Sequence, residues 1–118
     1  MRTTSIVVLS LVATALGAPF GKRQDQLNGG VYYCTEPNFT GVCVQTPPIE
    51  DTCHNFDATF NDRVSSFRPE PAGFVVCLLW SDANCQGTNP GGWIANPVDD
   101  LSTINFSGIA SAYQCKNP

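Results

Sequence analysis

The chain is 118 residues long, 42% hydrophobic and 14% charged, with six Lys and Arg against ten Asp and Glu. That length makes one small domain with a modest core. The acidic balance, a formal net charge of −4, disfavours nucleic acid and anionic lipid surfaces as partners.

The N-terminal stretch MRTTSIVVLSLVATALGAPF has a short basic start, an apolar run from Ile6 to Leu16, and small residues at Ala13, Ala15, Gly17 and Ala18. This predicts a secretory signal peptide over residues 1–18, too short to span a membrane. Cleavage after Ala15, Gly17 or Ala18 fits, the last disfavoured by Pro19 at the scissile bond. Residues 19–23 then form a short propeptide ending in Lys22-Arg23, a pair that resembles a kexin-type dibasic site; an ordinary basic pair in a tail is the alternative. The mature chain, residues 24–118, keeps three cations, Arg63, Arg68 and Lys116, against all ten acids, a net charge near −7. It is expected to be extracellular and monomeric, with no membrane insertion.

All six cysteines, Cys34, Cys43, Cys53, Cys77, Cys85 and Cys115, lie in this mature part. An even count in a small secreted chain predicts three disulfides. Zinc is disfavoured, because no two cysteines stand in a C-x-x-C spacing and His54 is the one histidine. Among the fifteen pairings open to six cysteines, short hairpin-sized loops favour Cys34 with Cys43 and Cys77 with Cys85, leaving Cys53 for Cys115.

Along the chain the signals are all β. QDQLNGG, residues 24–30, is polar and expected to be a loose lead-in. GGVYYC, GVCVQT and GFVVCLLW are short runs rich in β-branched and aromatic residues. Between and after them TEPNFTG, TPPIED, RPEPAG, TNPGG and ANPVDD are dense in Pro, Gly, Asn and Asp and mark turns. No window carries a helical apolar period of useful length.

At an offset of 46 the chain matches itself: Asn38 falls on Asn84, Gly41 on Gly87, Phe60 on Phe106, Ser65 on Ser111 and Phe67 on Tyr113. Two copies of one unit are therefore present, about 31–70 and 73–115. A unit this short, made of strands and turns, cannot bury both faces of its own sheet, so the pair is expected to pack face to face.

These residues resemble a βγ-crystallin-type domain, a disulfide-stabilised all-β sandwich of two Greek keys. The family's hairpin pattern, aromatic, four residues, aromatic, any residue, glycine, is met in part by Cys34, Phe39 and Gly41 and by Trp80, Cys85 and Gly87. Each copy keeps one aromatic and has cysteine for the other. The second pattern, N/D-N/D-x-x-S/T-S, is met at every position by NDRVSS, Asn61 to Ser66. The chain is similar in particular to small, cysteine-rich secreted members from fungi.

The resemblance implies calcium at that hexapeptide. A hard cation takes several oxygens, and the family pattern assigns the Asp62 carboxylate, the Arg63 carbonyl and the Ser65 hydroxyl, with Asn61 shaping the loop. The second copy, SGIASA, has Ser107 and Gly108 in the acid or amide positions and Ala112 in place of the last serine. Only Ser111 and the Ile109 carbonyl remain there as donors, so that site is expected to be dead and calcium to bind at one site of low affinity. The alternative is a turn whose side chains bond their own backbone, with Ser65 and Ser66 fixing a sheet edge.

Asn38-Phe39-Thr40 and Asn105-Phe106-Ser107 are N-glycosylation sequons. His54 lacks a nucleophile nearby in sequence and is expected at a core edge, and the pairs Glu50-Asp51 and Asp99-Asp100 stand in turns, so catalysis is not expected. The resemblance leaves three roles: an extracellular binding or structural module in a wall, fruiting-body or host setting; a toxin or host-directed effector; and a proteinase inhibitor working through Thr88 to Pro97. The expected partners are accordingly a cell wall, a host molecule or a proteinase.

Overall fold

The computed structural model describes residues 26–118. The expected leader and propeptide lie outside the described residues. Among the described residues there are six strands: β1 Gly30–Glu36, β2 Thr40–Gln45, β3 Cys53–Asn55, β4 Ser66–Glu70, β5 Val76–Trp80 and β6 Ala112–Lys116, with short 3-10 turns at Pro37–Phe39 and Leu101–Ile104. They form two three-stranded sheets, β2–β1–β4 and β3–β6–β5, with every neighbour antiparallel.

Strand alternation decides which side chains enter the sandwich. In β1, Val31 and Tyr33 are buried toward the core while Tyr32 looks outward; in β4, Phe67 and Pro69 point in and Arg68 out. The core centres on Tyr33, whose ring meets Phe56 and Phe60 edge-on, each at 4.9 Å, and lies 6.0 Å from Tyr113 of the opposite sheet. Phe60 and Phe106, the aromatics 46 residues apart, both anchor in this core.

The two copies do not fold as separate halves. β3 belongs to the first copy in sequence, yet it pairs with β6, His54 opposite Tyr113. In return Val98 of the second copy forms a two-bond bridge to Phe67 of β4, at 2.9 and 3.1 Å. Each unit thus lends a short segment to the other's sheet. The two hairpin turns match in φ at three corresponding positions: Asn38, Phe39 and Gly41 have φ of 60°, 57° and 84°, and Asn84, Cys85 and Gly87 have 62°, 55° and 87°.

The disulfides are Cys34–Cys43, Cys53–Cys85 and Cys77–Cys115, with no free cysteine among the described residues. Cys34–Cys43 is as expected from its spacing, but the Cys77–Cys85 and Cys53–Cys115 pairings are not formed. Register is the reason. Cys77 and Cys115 are directly opposite on β5 and β6, and the Cys77 backbone bonds Ile94 on its other side, so the two cysteines occupy a non-hydrogen-bonded pair, where side chains come closest. Their Cα atoms are 4.0 Å apart. Cys85 sits in the hairpin turn and reaches β3 of the other copy instead, at a Cα separation of 5.9 Å.

The lead-in also differs from the expectation of a loose segment. Gln26 bridges Glu50, Leu27 is buried and its N–H donates to the Ile49 carbonyl (2.8 Å), and a Cβ on Gly29 would lie 2.3 Å from the Glu70 carbonyl oxygen. One buried leucine amid polar residues is enough to seat the segment against β4.

Candidate metal site between the paired loops

The NDRVSS loop starts from a core anchor. Phe60 is buried, and two tight turns follow, in which Phe60 and Asn61 donate to the Asp57 carbonyl (3.0 and 2.8 Å) and Arg63 donates to the Phe60 carbonyl (2.9 Å). They carry Asp62 into the left-handed region, φ 59°, which Asp adopts more readily than most residues. Its counterpart 46 residues on, Gly108, has φ 71°. The two loops are then zipped side by side: Asp62 N–H donates to the Ala110 carbonyl and Gly108 N–H to the Val64 carbonyl, both at 3.0 Å.

That zipper sends each loop's polar side chains to the other loop. Ser111 Oγ donates to Asp62 Oδ1 at 3.1 Å, and the Ser107 and Ser65 hydroxyls are paired at 3.1 Å. Asp62 therefore partners Ser111 of the second loop, while Ser65 of its own loop is held by Ser107. Beside them an open cleft of about 380 Å³ is lined by Thr35, Glu36, Asp62, Arg63, Ser65 and Gly108 among others. Asn61 is exposed and Ile109 half exposed. The structure thus gathers Asn61, Asp62, Arg63, Ser65, Ile109 and Ser111 at one loop pair. Thr35, Glu36 and Ser107 escaped the sequence reading; the offset of 46 signals Ser107, since it places that residue opposite Asn61 of the first copy.

The final serine of the hexapeptide does something else. Ser66 is fully buried; its Oγ donates to the Glu36 carbonyl (2.8 Å) and accepts the Phe39 N–H (3.2 Å), tying β4 to the β1–β2 turn.

A cation here would meet oxygen donors only, which suits calcium over softer metals. Yet the described residues contain no group of three or more His, Cys, Asp or Glu able to hold a metal. With a carboxylate and neutral oxygens, and with the hydroxyls already paired, the donor set fits a weakly held hard cation.

Other candidates have structural work. The His54 ring stacks on Tyr113 at 5.1 Å, and its Nε2–H donates to the Glu50 carbonyl (2.9 Å). Asp100 caps the Leu101–Ile104 turn through the Ser102 N–H (2.9 Å), and hydrogen bonding from the Ser102 side chain, then from its backbone, holds the carboxyl below the usual range. Asn38 and Asn105 are both exposed in left-handed backbone, the first at the β1–β2 turn, the second after the 3-10 turn. The 88–97 loop is pinned by Thr88, whose carbonyl accepts Ser81 N–H, and by the Ile94–Cys77 bridge.

Comparison with solved structures places the architecture. A βγ-crystallin domain from Flavobacterium johnsoniae superposes with a TM-score of 0.59 at 18% identity, over 74% of this chain and 93% of that one. This is the βγ-crystallin fold. A structure solved to trace the evolution of the eye-lens βγ-crystallin domain fold gives a TM-score of 0.62 at 20% identity, covering 83% and 95%. A clostrillin double mutant in complex with nickel gives 0.58 at 13%, covering 75% and 98%. No protein-family model matches the sequence, and no curated protein matches it. Identities this low establish the βγ-crystallin fold and leave the activity to be argued from the residues.

Proposed function

We propose that this protein is a secreted, disulfide-braced βγ-crystallin-type module acting outside the cell as a structural or binding domain, with its paired loops taking one calcium ion weakly. The observation that carries the cation reading is the crossing of Asp62 to Ser111, 3.1 Å between loops that are already zipped by two backbone bonds. The carboxylate is held where the two loops meet, beside hydroxyl and carbonyl oxygens. Secretion is supported by three disulfides in a 93-residue fold, which persist in oxidising compartments, and by the leader read from the sequence. Its partner on this reading is a wall or host component, and the exposed turn position of Asn38 suits a glycan.

Calcium adds stability by binding the folded state alone. For a Kd near 1 mM, about 10 mM calcium contributes roughly 1.4 kcal/mol, a rise in Tm of about 6–11 °C for a domain of this size. The test is calorimetric titration of calcium, with melting in calcium and in chelator, on the protein secreted from a eukaryotic host expressing the full chain. Saturable heat and a raised Tm, both lost in Asp62→Ala and weakened in Ser111→Ala, support the site. A flat titration and an unchanged melt reduce the loop pair to a self-bonded sheet-edge turn.

A second reading, proteinase inhibition, has one observation behind it: the 88–97 loop is anchored at Thr88 and Ile94 yet exposes Trp93 at 40%. Inhibition of a metalloproteinase that is lost on Trp93→Ala is the outcome it requires.

A further inference from the structure

On the outer face of the first sheet, away from the paired loops, the side chains of three strands converge. Register puts Gln45 of β2 and Arg68 of β4 opposite Tyr32 of the central strand, and Glu70 opposite Gly30. Because Gly30 has no side chain, Gln45 and Glu70 reach each other over the central strand: Gln45 Nε2 donates to Glu70 Oε1. From the other side Arg68 Nε (2.9 Å) and its terminal nitrogen (2.7 Å) bond Glu70 Oε2. Arg68 is itself fixed, its guanidinium 4.6 Å from the Tyr32 ring centre and 4.9 Å from that of Phe39, with the two rings stacked at 5.5 Å.

Next to this network lies a trough of about 360 Å³, floored by Gly29 and Gly30 and flanked by Gln45, Thr46, Glu70 and Asn28. That volume is at the lower end for small-ligand sites. The floor has to be glycine: a Cβ on Gly30 would lie 2.4 Å from Thr46 Oγ1 and from the Pro47 carbonyl oxygen. Glu70 Oε1, which takes one donor here, retains acceptor capacity, while Oε2 is filled by the two Arg68 nitrogens, and the Gln45 amide is both donor and acceptor. These are planar polar groups held in place before any ligand arrives, the condition under which polar contacts yield affinity.

The charge of the trough selects the ligand class. Arg68 and Glu70 neutralise each other, and the mature chain around them is strongly acidic, so an anionic ligand is repelled while a neutral, hydroxyl-rich one is not. We infer that this trough is a binding site for a neutral carbohydrate, one or two sugar rings deep, with Gln45 and Glu70 contacting vicinal hydroxyls and with Arg68, Tyr32 and Phe39 as positioning residues. It is independent of the cation site, so the two readings fail separately.

The test titrates the secreted protein in chelator, by calorimetry and by backbone amide shifts, with laminarihexaose, cellohexaose and chitotetraose as neutral probes and tetragalacturonate as the anionic one. The expected result is a Kd of about 0.1–1 mM for at least one neutral probe, shifts clustered at residues 28–30, 45–46 and 70, and no binding of tetragalacturonate. Gln45→Ala, an exposed position, weakens that probe at least about tenfold with Tm unchanged, and Glu70→Gln, which keeps the side-chain shape, weakens it as well. No binding of any neutral probe up to about 10 mM, full binding by Gln45→Ala, or shifts confined to another face overturns the assignment.

Discussion

Ser66→Ala separates the architectural part of the NDRVSS hexapeptide from any cation role. The Ser66 hydroxyl makes two bonds, to the Glu36 carbonyl (2.8 Å) and from the Phe39 N–H (3.2 Å), and the residue is fully buried. Alanine itself fits such a place: Ala112, its counterpart in the second copy, is also fully buried. The cost is therefore polar rather than steric. Two neutral bonds are lost at roughly 0.5–1.5 kcal/mol each, with a larger penalty where water cannot replace the partner. Glu36 is exposed and Phe39 half-buried, so water reaches one end better than the other, and about 2 kcal/mol is expected. For a domain of this size that is a fall in Tm of about 8–16 °C. Melting curves in chelator and in calcium should shift by the same amount, since Ser66 bonds the β1–β2 turn and not the Asp62–Ser111 pair. A Tm within about 2 °C of the parent in chelator, less than half a kcal/mol, refutes the reasoning; so does a fall seen only with calcium.

Gly41→Ala should cost more than Gly91→Ala. Both have positive φ, +84° and +105°, but a Cβ at 41 lies 2.5 Å from Thr35 Oγ1 and one at 91 meets nothing within 4 Å; the left-handed penalty of about 1–2 kcal/mol is common to both, so equal melting shifts would refute the close-approach argument. Non-reducing peptide mapping should return Cys34–Cys43, Cys53–Cys85 and Cys77–Cys115, and replacing both Cys53 and Cys85 by alanine, which opens a separation of 32 residues, should cost about 3–4 kcal/mol in denaturant unfolding. Burial, with Asp57 nearby, raises the Tyr33 pKa, and burial, with Tyr33 nearby, raises that of Tyr113 further; their contribution is complete below the unfolded value near 10 and is lost as pH rises above it, so the urea midpoint should hold from neutral pH to about 9 and fall beyond 10. N-terminal sequencing of the secreted protein should begin at Gln24, and a start at Leu16, Ala18 or Pro19 would mean that Lys22-Arg23 is not cleaved.

What the sequence discloses about this fold is what local backbone geometry imposes. Gly41 and Gly87 recur because each hairpin needs positive φ where a side chain would strike the preceding strand, and Asn38 and Asn84 recur because their turns are left-handed. Such positions are visible as a repeat. β3 is not, because CHN is three residues without an alternation to read, and its partner Tyr113 lies far along the chain. Two of the disulfide pairings were hidden for the same cause, since loop length carries no information on register. At the candidate site Ser107 reads in one dimension as a lost acid or amide, and only the zipper between the loops turns its hydroxyl toward Ser65.

The differences between the two copies bear on function more directly than their likeness. Each hairpin tip is held by the segment lent from the other copy. At the first, Asn38 N–H donates to the Asp99 carbonyl (2.7 Å), and the Ser66 hydroxyl adds its tie from within the same copy. At the second, Ala112 offers no hydroxyl; Asn84 N–H bonds the Asn55 side chain (2.8 Å), Asn55 Nδ2 returns a bond to Asn84 (3.2 Å), and Cys53–Cys85 adds a covalent link beside them. The second copy thus replaces a hydroxyl tie with a disulfide, and it replaces the left-handed Asp62 with the left-handed Gly108. Both exchanges keep the backbone and remove polar chemistry from one half. The carboxylate of the loop pair and the Gln45–Glu70 network both lie in the first copy, and at the matching places the second copy has Gly108, Gly91 and Lys116.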